Sequence, residues 1–266
     1  MFLEDLPAEL FVMITDYLSD GDKLILISCC KNLYNRRYIL RFDTQMFLRR
    51  VIKYDPRINF TNISIDFRKD FDDKMAVLLP RFVKRLVIGD FFNHRLKIPL
   101  PATVRHLKFG AYFNHILNDN IPDSVTHLIF GTNFNQCLIF EDDDGAIHSC
   151  LPKYLTHLTF GYAFNQPLIK SMPSTLTHLT FGFRFNQPVE LNFFFPEGLT
   201  HLAFGACFNQ PVNSCIPTTV THLAFHRLFN QRLDFLHTNI QELTVDYNNY
   251  HYVDSIPLNV QRITYV

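Results

Sequence analysis

Charge of one sign is what this 266-residue sequence lacks first: 25 Lys and Arg are balanced by 25 Asp and Glu. A phosphate backbone is bound through a positive excess, so nucleic acid is not an expected partner. Equally absent is any apolar run approaching the roughly 18 residues of a membrane span, and the opening MFLEDLPAELF is acidic, without the cleavage pattern of a secretory leader. No membrane partner and a cytoplasmic location are therefore expected. The six cysteines form no CxxC pair and no regular spacing, and Cys29 and Cys30 adjoin in a helical stretch, which favours free buried thiols over disulfides. Also missing are GxSxG, HExxH, a Walker glycine loop and a dinucleotide fingerprint. The expectation is no enzyme, no catalytic residue and no cofactor.

What is present is repetition. LPKYLTHLTFGYAFNQPL runs from Leu151 to Leu168 and MPSTLTHLTFGFRFNQPV from Met172 to Val189; aligned on proline, copies begin at Pro80, Pro101, Pro122, Pro152, Pro173, Pro196, Pro217 and Pro257, with a degenerate one at His237. Most steps are 20 to 23 residues, the signature of a solenoid whose single coil cannot bury its own apolar face. The step from Pro122 to Pro152 is 30 residues, with the excess between Cys137 and Cys150. An insertion at 137–150 should bulge from the stack without shifting its register.

Within each copy LTHLTF reads as the strand, with Leu155, Leu158 and Phe160 on LxxLxL spacing and pointing into the core. Parallel stacking turns a repeated residue into a ladder. Phe109, Phe130, Phe160, Phe181, Phe204 and Phe225 should form one, filling the interior; Phe-Asn pairs from Phe92-Asn93 to Phe229-Asn230 should form a second at a turn, where the Asn carboxamide satisfies backbone amides. The glycine before that turn, as in Gly110, Gly161 and Gly182, serves a positive φ or a close approach of coils. His226 and Asp246 stand in its place later, where local distortion is expected. His106, His127, His157, His178, His201 and His222 should lie in a row on the face away from the core. Metal is not expected there, because a row is not a tetrahedron and no carboxylate recurs beside it. The acidic Glu141-Asp142-Asp143-Asp144-Gly145 lacks the alternating spacing of a calcium loop and reads as solvated.

The N-terminal part reads differently. Pro7 suits a first helical position, Leu10, Ile14 and Leu18 follow at helical spacing, Ser19-Asp20-Gly21-Asp22 breaks the pattern, and Leu24 begins a second helix running towards a third near Asn32. A helix is also expected through Tyr38, Leu40, Phe42, Phe47, Leu48 and Ile52, ended by Asp55-Pro56. Ile63-Ser64-Ile65 alternates like the strand of a worn first repeat. The fold class is α+β: a three-helix bundle at 1–50, a linker and degenerate capping repeat at 51–79, and a leucine-rich-repeat-like solenoid with a parallel sheet at 80–266.

LPAELFVMITDYLSDGDKLILISCCKNLY resembles the F-box, with its Leu-Pro start, apolar first helix and Cys-Lys step, although Leu33 stands where many members carry Trp. The resemblance implies binding to the adaptor Skp1 of cullin-type ubiquitin ligases through Leu6, Pro7, Leu10, Ile14, Leu18, Leu24 and Cys30. A plain helical cap of the solenoid would place Leu, Ile and Pro similarly. The FNQP strings at Phe164, Phe185 and Phe208 resemble FNIP repeats, relatives of leucine-rich repeats known from social amoebae and from giant viruses that infect amoebae. F-box and repeats together imply a substrate receptor that redirects a host's ubiquitin machinery, with a Skp1-like adaptor of the host and an unknown target protein as partners.

If the recurring residues serve packing, specificity belongs to positions that change from copy to copy. Tyr112, Tyr162, Phe183, Arg184 and Arg227, in the pair after each glycine position, have interface chemistry, with Lys108 and Ile129 on the strands beside them. The competing reading is that some of these pack against the next coil. Strand pattern persists at Val260, Ile263 and Tyr265, an edge at which homodimerisation is expected.

Overall fold

The computed structural model describes residues 3–29, 31–37, 40–42, 45–47, 59–65, 79–80, 82–117, 120–141, 144–145, 147–168, 172–189, 195–212, 215–233, 236–246, 256 and 260–265. After a 3-10 turn at Leu3–Asp5, three short helices open the chain: α1 (Ala8–Thr15), α2 (Asp20–Ser28) and α3 (Lys31–Asn35). Pro7 is the N-cap of α1, one position before the place expected, and its carbonyl accepts from the Phe11 N–H at 3.0 Å. The break between the first two helices falls earlier than expected, at residues 16–19: the Ser19 hydroxyl accepts from the Asp22 N–H at 3.1 Å, so Asp20 to Asp22 are the capped first turn of α2. The Arg36 guanidinium closes the bundle, donating to the Leu6 carbonyl at 2.6 Å and lying 5.2 Å from the Phe11 ring.

The remaining elements are strands, β1 (Arg41–Phe42), β2 (Met46–Phe47), β3 (Asn59–Phe60), β4 (Asn62–Ile65), β5 (Arg85–Ile88), β6 (His106–Lys108), β7 (His127–Ile129), β8 (Ile139–Glu141), β9 (Ile147–Ser149), β10 (His157–Thr159), β11 (His178–Thr180), β12 (His201–Ala203), β13 (His222–Ala224), β14 (Glu242–Val245) and β15 (Arg262–Tyr265). Eleven form one parallel sheet, in the order β15-β14-β13-β12-β11-β10-β7-β6-β5-β4-β2. The worn repeat is there, since Ile63 pairs with Leu86 and Ser64 with Val87. The described residues of the helix expected across 38–52 are not helical: Phe42 pairs with Phe60, and Met46-Phe47 pairs with Ile63-Ser64, because partners some 17 to 18 residues away supply hydrogen bonds that local propensity cannot anticipate. Tyr38 and residues 39, 43, 44 and 48–52, also part of that expected helix, lie outside the described residues. Lys23 of α2 ties the bundle to this first coil, donating to the Arg41 carbonyl at 2.8 Å.

β7 pairs directly with β10, His127 opposite His157, so the insertion leaves the register untouched. It folds as an antiparallel hairpin of β8 and β9, with Gly145 at φ 77° in its connection. The core is continuous along the stack. Leu155, Leu158 and Phe160 are buried, as are both phenylalanine ladders; rings of one coil lie 3.8–4.0 Å apart, as in Phe160–Phe164 and Phe109–Phe113, and equivalent rings of neighbouring coils about 6 Å apart, as in Phe164–Phe185. Each fully buried ring contributes about 1.5–3 kcal/mol.

Of the two roles open to the turn glycines, close approach is the one observed. A Cβ on Gly131, Gly161, Gly182 or Gly205 would overlap the carbonyl oxygen of the glycine one coil earlier, whereas positive φ occurs only at Gly145 among the described glycines. At His226 the expected distortion does not reach the turn's hydrogen bonds: Phe229 N–H reaches the His226 carbonyl at 3.0 Å and Leu228 N–H the Ala206 carbonyl at 3.0 Å.

Candidate functional site

Alternation along each three-residue strand decides which side chains are available. The central Leu of β6, β7 and β10 to β13 points into the core, so the His before it and the residue after it share the opposite face. One row on that face reads Asn62, Arg85, His106, His127, His157, His178, His201, His222, Glu242, Arg262; the other reads Val87, Lys108, Ile129, Thr159, Thr180, Ala203, Ala224, Thr244. The six imidazoles stack with centroids 4.0–4.2 Å apart.

Threonine orders these rings. In Thr126-His127 and its four later copies the hydroxyl lies 2.9 Å from Nδ1 of its own His, and it also reaches a carbonyl of the preceding coil at 2.9–3.3 Å. A hydroxyl has one proton. Given to the carbonyl, it requires Nδ1–H to donate to the hydroxyl oxygen and leaves the lone pair on Nε2. Burial, then neighbouring positive charge, holds His106, His127, His157, His178 and His201 below their ordinary value; Arg85 adds to this at His106 and His127, and Glu242 opposes it at His201. No group of three or more His, Cys, Asp or Glu among the described residues is arranged to hold a metal ion.

The Asn ladder is consumed by the backbone. Oδ1 of Asn93, Asn114, Asn135, Asn165, Asn186 and Asn209 each accepts from the N–H of the next Asn in the stack at 2.8–3.0 Å. From Asn114 onward the same oxygen also accepts from a Gln side chain of the next coil, Gln136, Gln166, Gln187, Gln210 or Gln231, at 2.9–3.1 Å. That glutamine role was not read from the sequence, although the recurring FNQ string carried its signal.

The residues singled out for target binding fall into three groups. Lys108 and Ile129 face each other across β6 and β7 on the open sheet face, where they line a concavity of about 260 Å³ with Arg85, His106 and His127. Tyr112 is exposed and stacks on Phe91 at 5.8 Å. Tyr162 and Phe183 stack at 4.7 Å, with the Arg184 guanidinium 5.3 Å from the Tyr162 ring, on the turn edge where Arg227 is also exposed. A second concavity on the sheet face, about 290 Å³, is lined by His178, His201, His222, Ala203, Ala224, Glu242 and Thr244 among others.

In the helices, Leu10 and Ile14 are exposed beside Met13 and Tyr17, while Phe11 and Thr15 of α1 are buried. Pro7 is exposed, Leu18 half-buried, and Leu6 and Leu24 pack partly against the core. Cys30 lies outside the described residues. Leu33 is buried, so the position where many F-box sequences carry Trp serves the interior of this bundle.

These features define a repeat protein of leucine-rich-repeat-like solenoid fold. The FNIP repeat family model matches residues 113–141, 146–184 and 185–228, so the chain carries FNIP repeats. Among solved structures it is similar to CroV588, described as a novel circular LRR protein structure, at 34% identity and a TM-score of 0.68 over 77% of this chain. The chain spans about 30% of the length of that one. Comparison with curated proteins gives no match. No helix among the described residues is long and apolar enough to cross a membrane.

Proposed function

We propose that this protein is a non-enzymatic adaptor. Its solenoid holds a target protein on the open sheet face and the aromatic turn edge, and its helices dock a Skp1-like subunit of a cullin-type ubiquitin ligase in the cytoplasm. If the chain is viral, that subunit is the host's. The observation that carries the ligase link is on α1: Leu10, Met13 and Ile14 are 47%, 61% and 46% exposed while Phe11 is fully buried. A helix that only capped the stack would turn its apolar residues inward; this one keeps a stripe outside, next to Pro7. Binding of a purified Skp1-like adaptor to the intact chain by calorimetry, lost in the Pro7→Ala, Leu10→Ala double variant with its unfolding midpoint preserved, supports the proposal. No binding to the intact chain leaves the helices as a cap and the solenoid as a binding module without a ligase.

A further inference from the structure

The Thr-His pair that orders five coils is replaced in the coils before them. Thr61-Asn62, Lys84-Arg85 and Arg105-His106 stand where Thr126-His127 begins the regular pattern. The backbone does not ask for this change: Lys84 and Arg85 N–H groups both reach the Thr61 carbonyl at 2.8 Å, and those of Arg105 and His106 reach the Lys84 carbonyl at 2.8 and 2.9 Å, as the Thr-His pairs do further on. What is lost at Lys84 and Arg105 is the threonine hydroxyl, which Thr61 keeps, donating to the Phe42 carbonyl at 3.2 Å. His106 Nδ1 is consequently buried without a hydrogen-bond partner, at the end of the imidazole stack.

What is gained is positive charge around a hollow. Arg41, Lys84, Arg85, Arg105 and His106, with Thr61 and Asn62, line a concavity of about 380 Å³, and no carboxylate is among its described lining residues. Arg105 donates to the carbonyls of Ala102 and Val104 at 3.1 and 3.3 Å, which fixes its guanidinium against the coil. In a chain of zero net charge, four cations gathered where the repeat departs from its own rule are not a by-product of composition. Guanidinium forks match tetrahedral oxyanions bidentately, and lysine adds a point charge. The hollow is at the lower end of the size of ligand sites, larger than one carboxylate requires.

We propose that this concavity binds a phosphate monoester carried on a side chain of a protein partner. The proposal uses the reading of the solenoid as a protein-binding module but not its link to a ligase. The test is anisotropy of a short labelled peptide carrying one phosphoserine, against the same peptide with Ser or Glu, on the full chain. The phosphopeptide should bind at least about tenfold tighter than either, and more weakly as salt rises. Lys84→Ala with Arg85→Ala, two exposed side chains, should remove that preference while the unfolding midpoint holds; Lys153→Ala, in a later coil, should leave it intact. On binding, the His106 ring resonances should shift and those of His201 should not. Equal binding of the three peptides overturns the proposal, as does wild-type affinity in the double variant. Inorganic phosphate binding as tightly as the peptide, or capture by phosphatidylserine vesicles in place of the peptide, also overturns it. None of these outcomes bears on Skp1 binding, which is measured separately.

Discussion

Lowering the pH should unfold this protein through its histidine row. Burial and neighbouring charge place the folded values of His106, His127, His157, His178 and His201 below the ordinary 6.5, so below that pH the unfolded chain takes up more protons than the folded one. The stability is therefore fully present above about pH 6.5 and drains away as pH falls through the folded values. Geometry sets the scale. Adjacent charged rings about 4 Å apart repel by about 4 kcal/mol at an effective dielectric of about 20, and by about 1 kcal/mol in bulk water; these half-buried rings lie between the limits. Neighbours therefore resist charging together, and titration proceeds as a coupled row. A ring that stays neutral at about pH 5 costs at most about 2 kcal/mol against an unfolded histidine. Two or three such rings set a ceiling of about 4–6 kcal/mol, which solvent screening reduces, against the 5–15 kcal/mol typical of a folded domain. Urea unfolding followed from about pH 7.5 to about pH 5 should show the midpoint steady above about pH 6.5 and falling below it. Asn at His157 and His201, whose side-chain amide takes the place of Nδ1–H, should blunt that fall. A midpoint flat across the range, or an equal fall in the double variant, would refute the reasoning.

Three further outcomes follow from the coil geometry. Asn165→Ala strands the half-buried Asn186 N–H and leaves the Gln187 amide only the Asn165 carbonyl, and should cost about 1–3 kcal/mol in denaturant unfolding. Gly161→Ala drives a methyl group into the Gly131 carbonyl and should cost about 1–3 kcal/mol, lowering the thermal midpoint by several degrees. Replacing 141–147 by a short turn removes only the outer part of the hairpin and should shift stability by less than about 1 kcal/mol, because β7 and β10 already pair without it.

Much of the solenoid could be read from the sequence because the same residue recurs at the same place in each coil, and parallel stacking converts that recurrence into contact. Phe, Asn and His announced their ladders in this way, and the long step between Pro122 and Pro152 announced an insertion, though not its pairing as a hairpin. What could not be read depends on contacts without periodicity. Phe42 and Met46-Phe47 carry helical spacing but are held by residues 59–64, so the stack begins earlier than the repeats suggest. Asp20-Gly21-Asp22 resembles a breaker until Asp22 is seen to donate to Ser19. On the turn edge, exposed aromatics at the varying positions were legible, yet their partners were not: Phe91 under Tyr112, and Arg184 over the neighbouring coil's Tyr162, follow from coil offset. The cationic hollow was hidden because attention to what recurs passes over Lys84-Arg85 and Arg105, where the recurrence fails.

If the recurring polar residues are spent on neighbouring coils, recognition is left to the rest. Long-range ¹H–¹⁵N spectra of the histidine rings at neutral pH test this most directly. Protonated Nδ1 with bare Nε2 at His127, His157, His178 and His201 is the predicted result; Nε2–H rings, or tautomers exchanging freely as in an unordered peptide, would contradict it.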